Sequence, residues 1–193
     1  MNSSMHEPLQ QTLFDAVKFL DAERVPYALI GGLAVSLRGQ PRMTADVDLV
    51  IHADVPRSLA LARGLEGTDF KPLFDDVAQV IQKSFILPLR HRTTSVKVDL
   101  ALGLSGFEQQ IMSRAERLSL AGTEIAVATA EDLLIMKILA GRPQDEQDIQ
   151  GLMIAQGKNL DWKYCTDLAA QLGKALGQDL ATRITSLRTK SNA

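Results

Sequence analysis

Thr44-Ala45-Asp46-Val47-Asp48-Leu49-Val50-Ile51 is the stretch that decides how the rest of this chain is read. Acidic and aliphatic residues alternate in it, which is the period of a strand with one face against a core. Side chains two apart along a strand project from the same face. Asp46 and Asp48 therefore share one side, and Val47, Leu49 and Ile51 share the other. Two carboxylates held that close repel each other, and a cation between them relieves the repulsion. Oxygen donors of this hardness suit Mg2+ or Mn2+, whereas zinc would normally bring His or Cys. His6, His52 and His91 are scattered, and Cys165 is the single cysteine, so no zinc set is visible.

Upstream, Val25 to Ile30 is a short apolar strand that runs straight into Gly31-Gly32 and a short helix from Leu33, broken at Gly39-Gln40-Pro41. Glycines at a strand-to-helix turn let the backbone approach a ligand, and the N–H groups of a helix start attract phosphate. A tight turn alone explains them equally well. The stretch has neither the Lys-Ser/Thr ending of a P-loop nor a Gly-x-Gly-x-x-Gly pattern. Ahead of it, Leu9, Leu13, Phe14, Val17 and Leu20 mark an amphipathic helix from Glu7 to Glu23.

Downstream, Pro56 to Leu65 reads as helix, then Ser84 to Leu89 and Ser95 to Leu100 as two strands joined by a polar turn. In Val96-Lys97-Val98-Asp99-Leu100 the apolar residues share one face, and Lys97 and Asp99 share the other. If this strand lies beside the Asp46–Ile51 strand, three carboxylates converge on one exposed edge of the sheet. Three such groups can hold two metal ions about 3.5–4 Å apart, which suits in-line displacement at phosphorus. Asp99 is also placed to accept a hydroxyl proton as general base. Taken singly, each acid is equally an ordinary solvated residue of a strand. A helix from Phe107 to Ala115 and a hairpin around Ala121-Gly122 complete this region.

Beyond Thr129 the pattern turns wholly helical, over 131–140, 145–155, 161–172 and 177–188, with Thr129 and Asp132 spaced as a helix-start pair. The expected architecture is α/β: a mixed core over residues 1–129 and a C-terminal helical region over 130–193. Lys137 is the lone cation on a nearly all-apolar helix, a costly place for a charge unless it has a partner or reaches solvent.

Composition narrows the function classes. The 193 residues are 46% hydrophobic and 23% charged with a net charge of −2, which excludes a disordered chain and gives no global pull toward nucleic acid. A nucleic-acid substrate would need a local basic patch. One cysteine points to a reducing, cytoplasmic setting. The N-terminus lacks the basic start and apolar run of a signal peptide, and no apolar stretch approaches the roughly 20 residues of a membrane span.

An apolar residue with Gly-Gly, an Asp-x-Asp strand fourteen residues on and a later strand ending in Asp together resemble the nucleotidyltransferase superfamily that includes DNA polymerase beta. Ile30-Gly31-Gly32-Leu33-Ala34 with Arg42-Met43-Thr44-Ala45-Asp46-Val47-Asp48 is more narrowly similar to AbiEii-type nucleotidyltransferases, the toxins of toxin–antitoxin pairs. The resemblance spans Val25 to Asp148. It implies a mixed sheet flanked by helices, and Mg2+ or Mn2+ held by Asp46, Asp48 and Asp99 against a nucleoside triphosphate. It also implies triphosphate contacts from Gly31, Gly32 and Lys137, and a supporting run of Arg142, Asp145 and Asp148. Many members have Ser after the first glycine; Gly32 stands there, so backbone N–H groups must serve instead.

Arg42 and Thr44 precede the acid strand and are further candidates for the phosphate, Arg42 as a bidentate clamp or as an ordinary loop arginine. The reaction implied moves a nucleoside monophosphate to a hydroxyl acceptor. An RNA 3′ end or a protein side chain is favoured, a small molecule remains open, and an antitoxin-like partner belongs to the same reading. Two other classes stay open: a nucleotide- or partner-binding module of the same fold without catalysis, and the Asp-x-Asp of a sugar-nucleotide glycosyltransferase. Trp162, Tyr164, Arg183, Arg188 and Lys190 in the tail serve either acceptor binding or packing.

Overall fold

The structure, a computed structural model, describes residues 7–191; His6 and the extreme chain ends, with the side chains of Lys190 and Ser191, lie outside it. In chain order the elements are α1 (Glu7–Ala22), β1 (Tyr27–Ile30), α2 (Gly31–Arg38), β2 (Asp46–Ile51), α3 (Val55–Arg63), β3 (Phe70–Pro72), α4 (Val77–Ser84), β4 (Ile86–His91), β5 (Lys97–Leu102), α5 (Gly106–Arg114), β6 (Glu116–Leu120) and β7 (Thr123–Val127). Four helices follow: α6 (Ala130–Ala140), α7 (Pro143–Gln156), α8 (Trp162–Leu176) and α9 (Leu180–Ser191). The chain divides into two compact units. One runs up to Leu33 and resumes over Met43–Ala128, and the other joins Ala34–Arg42 to the chain from Thr129 on.

The first unit is built on a mixed seven-stranded sheet in the order β3-β4-β5-β2-β1-β7-β6. β2 and β5 run parallel at its centre, and β1 and β4 flank them antiparallel. The alternation read from the sequence is the alternation of burial: Val47, Leu49, Val98 and Leu100 are buried, while Asp46, Asp48, Lys97 and Asp99 are half-buried on the opposite face. α1 buries Leu9, Leu13, Val17 and Leu20. His91 is buried in a structural role, with Nε2 3.0 Å from Asp15 and Nδ1 accepting from the backbone N–H of Thr94.

Two elements here have no forerunner in the sequence reading. β3 is three residues long and includes Pro72, the residue type that normally argues against a strand. α4 was hidden beside it, and Phe85 caps it in the left-handed conformation (φ 55°), which moves the start of β4 from Ser84 to Ile86.

In the second unit Thr129 caps α6 as its spacing with Asp132 predicted: its hydroxyl accepts from the Asp132 N–H and donates to the Asp132 carboxylate at 2.8 Å. Gly39 and Gly151 bring the 34–42 segment against α7, since a Cβ on Gly39 would lie 3.1 Å from the Gly151 backbone. Trp162 Nε1 donates to the Gly157 carbonyl at 3.0 Å, and the Tyr164 hydroxyl donates to Asp132. These two aromatics hold the helices together. Among the described residues no helix is long and apolar enough to cross a membrane.

Candidate active site

Parallel pairing of β2 and β5 sets the register on which everything at this face depends. Asp48 lies opposite Asp99, and Asp46 opposite Lys97. Cross-strand partners project from the same face, so the three acids of the sequence reading do share one side of the sheet. Lys97 shares it with them. Its ammonium lies 2.5 Å from Asp99 Oδ2, with the Lys97 side chain 39% and the Asp99 side chain 19% exposed. The hydrogen bond to Asp99 raises the Lys97 pKa above the ordinary lysine value against the opposing effect of partial burial, and the charges of Asp99, Asp46 and Asp48 add to it. Sequence reasoning had put Lys97 on this face without giving it a role. The missed signal was the spacing itself, a cation two residues before an acid on one strand face.

Gly31 is glycine for two independent reasons. Its φ is +67°, and a Cβ there would sit 2.0 Å from Asp48 Oδ2. The strand-to-helix turn therefore brings bare backbone against one of the acids. Gly32 follows it in the first turn of α2. The Thr44 hydroxyl donates to Asp46 Oδ1 at 3.2 Å, so Thr44 orients an acid directly.

The three carboxylates expected from the sequence share this face, with Lys97 among them. Among the described residues no three His, Cys, Asp or Glu side chains are already arranged as a metal site. Lys97 takes the place opposite Asp46 and is bonded to Asp99 within the same face. The donor set still suits a hard divalent cation. All three acids offer oxygen ligands, and Asp99 Oδ1 is buried with no hydrogen-bond partner. A buried acceptor left unsatisfied is a costly feature that calls for an explanation, and a bound cation supplies one.

The second unit contains the other candidates, and it uses them differently. Lys137 is 5% exposed, with its ammonium 2.7 Å from Asp148 and 3.3 Å from Asp145. Arg42 forks onto Asp148, Nε at 2.5 Å and Nη2 at 3.0 Å. Arg142 forks onto Asp145 through Nε at 2.9 Å and Nη2 at 3.0 Å, and its backbone N–H adds a third bond. Burial pushes the Asp145 pKa upward, but the bonds from Arg142 and then Lys137 outweigh it and hold the group at about 2. Lys137 and Arg42, expected to meet a triphosphate, are engaged here with buried carboxylates. Asp145 is thus paired with Lys137 and Arg142, and Asp148 with Lys137 and Arg42.

An open depression of about 360 Å3, lined by His52, Asp54, Arg57, Gly103, Leu104 and Gln109, follows the far ends of β2 and β5. At about 3.3 Å per residue, four residues separate His52 from Asp48 by roughly 13 Å, so this hollow is distinct from the acid face.

The model of a family described as nucleotidyltransferase of unknown function (DUF6036) matches residues 11–188. Comparison with curated proteins by sequence gave no match. Among solved structures the fold is similar to an antigenic nucleotidyltransferase-like protein from Paracoccidioides brasiliensis, with 22% identity, 88% of this chain and 90% of that one covered, and a TM-score of 0.51. It is likewise similar to the lincosamide antibiotic adenylyltransferase LnuA with lincomycin bound, at 16% identity over 78% and 98% of the two chains and a TM-score of 0.51. A third similar structure is ANT(2″)-Ia in complex with adenylyl-2″-tobramycin, at 13% identity over 94% and 95% and a TM-score of 0.51. At these identities the likeness is one of fold.

Proposed function

We propose, from the premise that this chain belongs to the nucleotidyltransferase family matched over residues 11–188, that it transfers a nucleoside monophosphate from a nucleoside triphosphate to a hydroxyl acceptor. The observation that carries this reading is the pairing of Asp48 with Asp99 on one face, beside a glycine that only a missing side chain allows to lie there.

In the step proposed, the acceptor oxygen attacks the α-phosphorus. A new P–O bond forms, the bond to the bridging oxygen of the β-phosphate breaks, and pyrophosphate departs. The hydroxyl proton passes to a carboxylate of this face, and Asp99 has the oxygen not claimed by any neighbour. The backbone of Gly31 and Gly32 holds the phosphates close to Asp48. Thr44 fixes the orientation of Asp46, and Lys97 lowers the mutual repulsion of the three acids. Asp46, Asp48 and Asp99 are the residues that would hold a magnesium or manganese ion. Such an ion would acidify the attacking hydroxyl and neutralise the departing pyrophosphate.

An RNA 3′ end or a protein side chain is the favoured acceptor, and a toxin role with an antitoxin-like partner goes with the AbiEii resemblance. Asp46→Ala and Asp48→Ala should each reduce transfer of labelled nucleotide by about a thousandfold or more, as expected for lost transition-state charge stabilisation. Retained transfer in either variant would reject the assignment. One observation favours a second reading, a nucleotide-binding module without turnover: Lys97 already occupies Asp99. Triphosphate binding by the native chain with no transfer to any acceptor, in the presence of Mg2+ or Mn2+, would select that reading.

A further inference from the structure

One transverse row of the sheet runs through four strands on the acid face. Lys71 in β3 lies opposite Arg90 in β4, Arg90 opposite Lys97 in β5, and Lys97 opposite Asp46 in β2. Because cross-strand partners share a face, Lys71, Arg90 and Lys97 form a basic line ending at the acids. Adjacent strands are about 4.8 Å apart, so the line is about 10 Å long. Lys97 is bonded to Asp99, but the other two have no carboxylate partner among the described residues. Arg90 donates only to the Ser95 carbonyl, at 2.8 Å, and Lys71 is exposed. The chain as a whole has a net charge of −2, so this local excess of positive charge runs against its average.

Sheet order gives the line a direction. Gly31, at the end of β1, lies on one side of the β2–β5 acid pair, and β4 and β3 lie on the other. In-line displacement puts the attacking and leaving oxygens on opposite sides of the phosphorus. If pyrophosphate leaves on the Gly31 side, the acceptor arrives from the side of Arg90 and Lys71. A cationic acceptor would meet like charge there, whereas a phosphodiester backbone would be neutralised.

We infer that the Lys71–Arg90–Lys97 row is the acceptor surface, and that it takes a single-stranded polynucleotide ending in a free 3′ hydroxyl. This rests on the transfer reading for its direction and on the strand register for its charge.

The test is fluorescence anisotropy of a 5′-labelled single-stranded RNA with the full chain, with DNA of the same sequence as a second arm and salt titrated in both. Lys71→Glu, and Lys71→Glu with Arg90→Gln, should weaken binding by about tenfold or more. The double variant should flatten the slope of log affinity against log salt by about 1.4, two phosphates at about 0.7 each. The thermal shift produced by a triphosphate should stay as in the native chain. Tighter RNA than DNA binding would add 2′-hydroxyl recognition to the surface, and equal binding would identify the backbone as what it reads. Native binding that is absent at low salt, or unchanged in both variants, overturns the inference. Transfer to tobramycin or to protein that ignores Lys71→Glu overturns it while leaving the transfer reading intact. Conversely, charge-dependent binding with no transfer of any nucleotide removes the transfer reading and keeps the surface.

Discussion

The protein gathers Asp side chains with cations in two places and treats them oppositely. In the second unit, two buried carboxylates face three cations, and fork-shaped Arg pairs and Lys137 fill their oxygens. On the sheet face, three half-buried carboxylates have the Lys97 ammonium among them, and a buried oxygen of Asp99 is left without a donor. The first arrangement is closed and slightly overbalanced toward positive charge. The second is open and keeps an excess of negative charge. Closed networks hold chain segments in place, while an unsatisfied one has binding capacity left over. The same residue types thus signal structure or chemistry according to saturation and exposure.

The sharpest way to break this contrast is to remove one acid from each place and compare stability. Asp148→Ala strands both Lys137 and Arg42 and should cost about 3–5 kcal/mol of unfolding free energy in urea. Asp48→Ala, which relieves repulsion, should change stability by no more than about 0.5 kcal/mol. Equal losses would dissolve the distinction.

A smaller effect is a dependence on pH. Asp145 is held at about 2, below its ordinary value of 3.8. Between those values the unfolded chain binds more protons than the folded one, so stability falls as pH falls from about 4 to about 2. The shift corresponds to about 2 kcal/mol. Urea titrations in steps through that window should show the loss, and Asp145→Asn should abolish its pH dependence; an unchanged slope in the variant would place the acid sensitivity elsewhere.

The smallest expected change is at Thr44. Thr44→Val removes one hydrogen bond to Asp46 and should lower the transfer rate only several-fold, in keeping with about 1 kcal/mol for such a bond. Thr44→Ser should restore it. A loss as large as that of Asp46→Ala would make Thr44 more than an orienting group.

Much of the fold was legible because burial periodicity is a local property. The alternation in β2 and β5, the Gly-Gly turn and the Thr129 cap all follow from neighbours a few residues apart. β3 and α4 were not legible, because a three-residue strand with a proline is held by its pairing with β4 and not by its own propensity. The face shared by Asp46, Asp48 and Asp99 could be derived from period two alone. Whether the acids meet could not, because that depends on the register between strands some fifty residues apart.

The sequence alone determined which side chains share a face, since the alternation of a strand is set by its own backbone. Tertiary structure decided who stands opposite whom: Lys97 beside Asp46, Asp48 beside Asp99, and Lys137 and Arg42 drawn to buried carboxylates. Charge interactions fall with distance and strengthen with burial, and both quantities are fixed only once the strands and helices have packed.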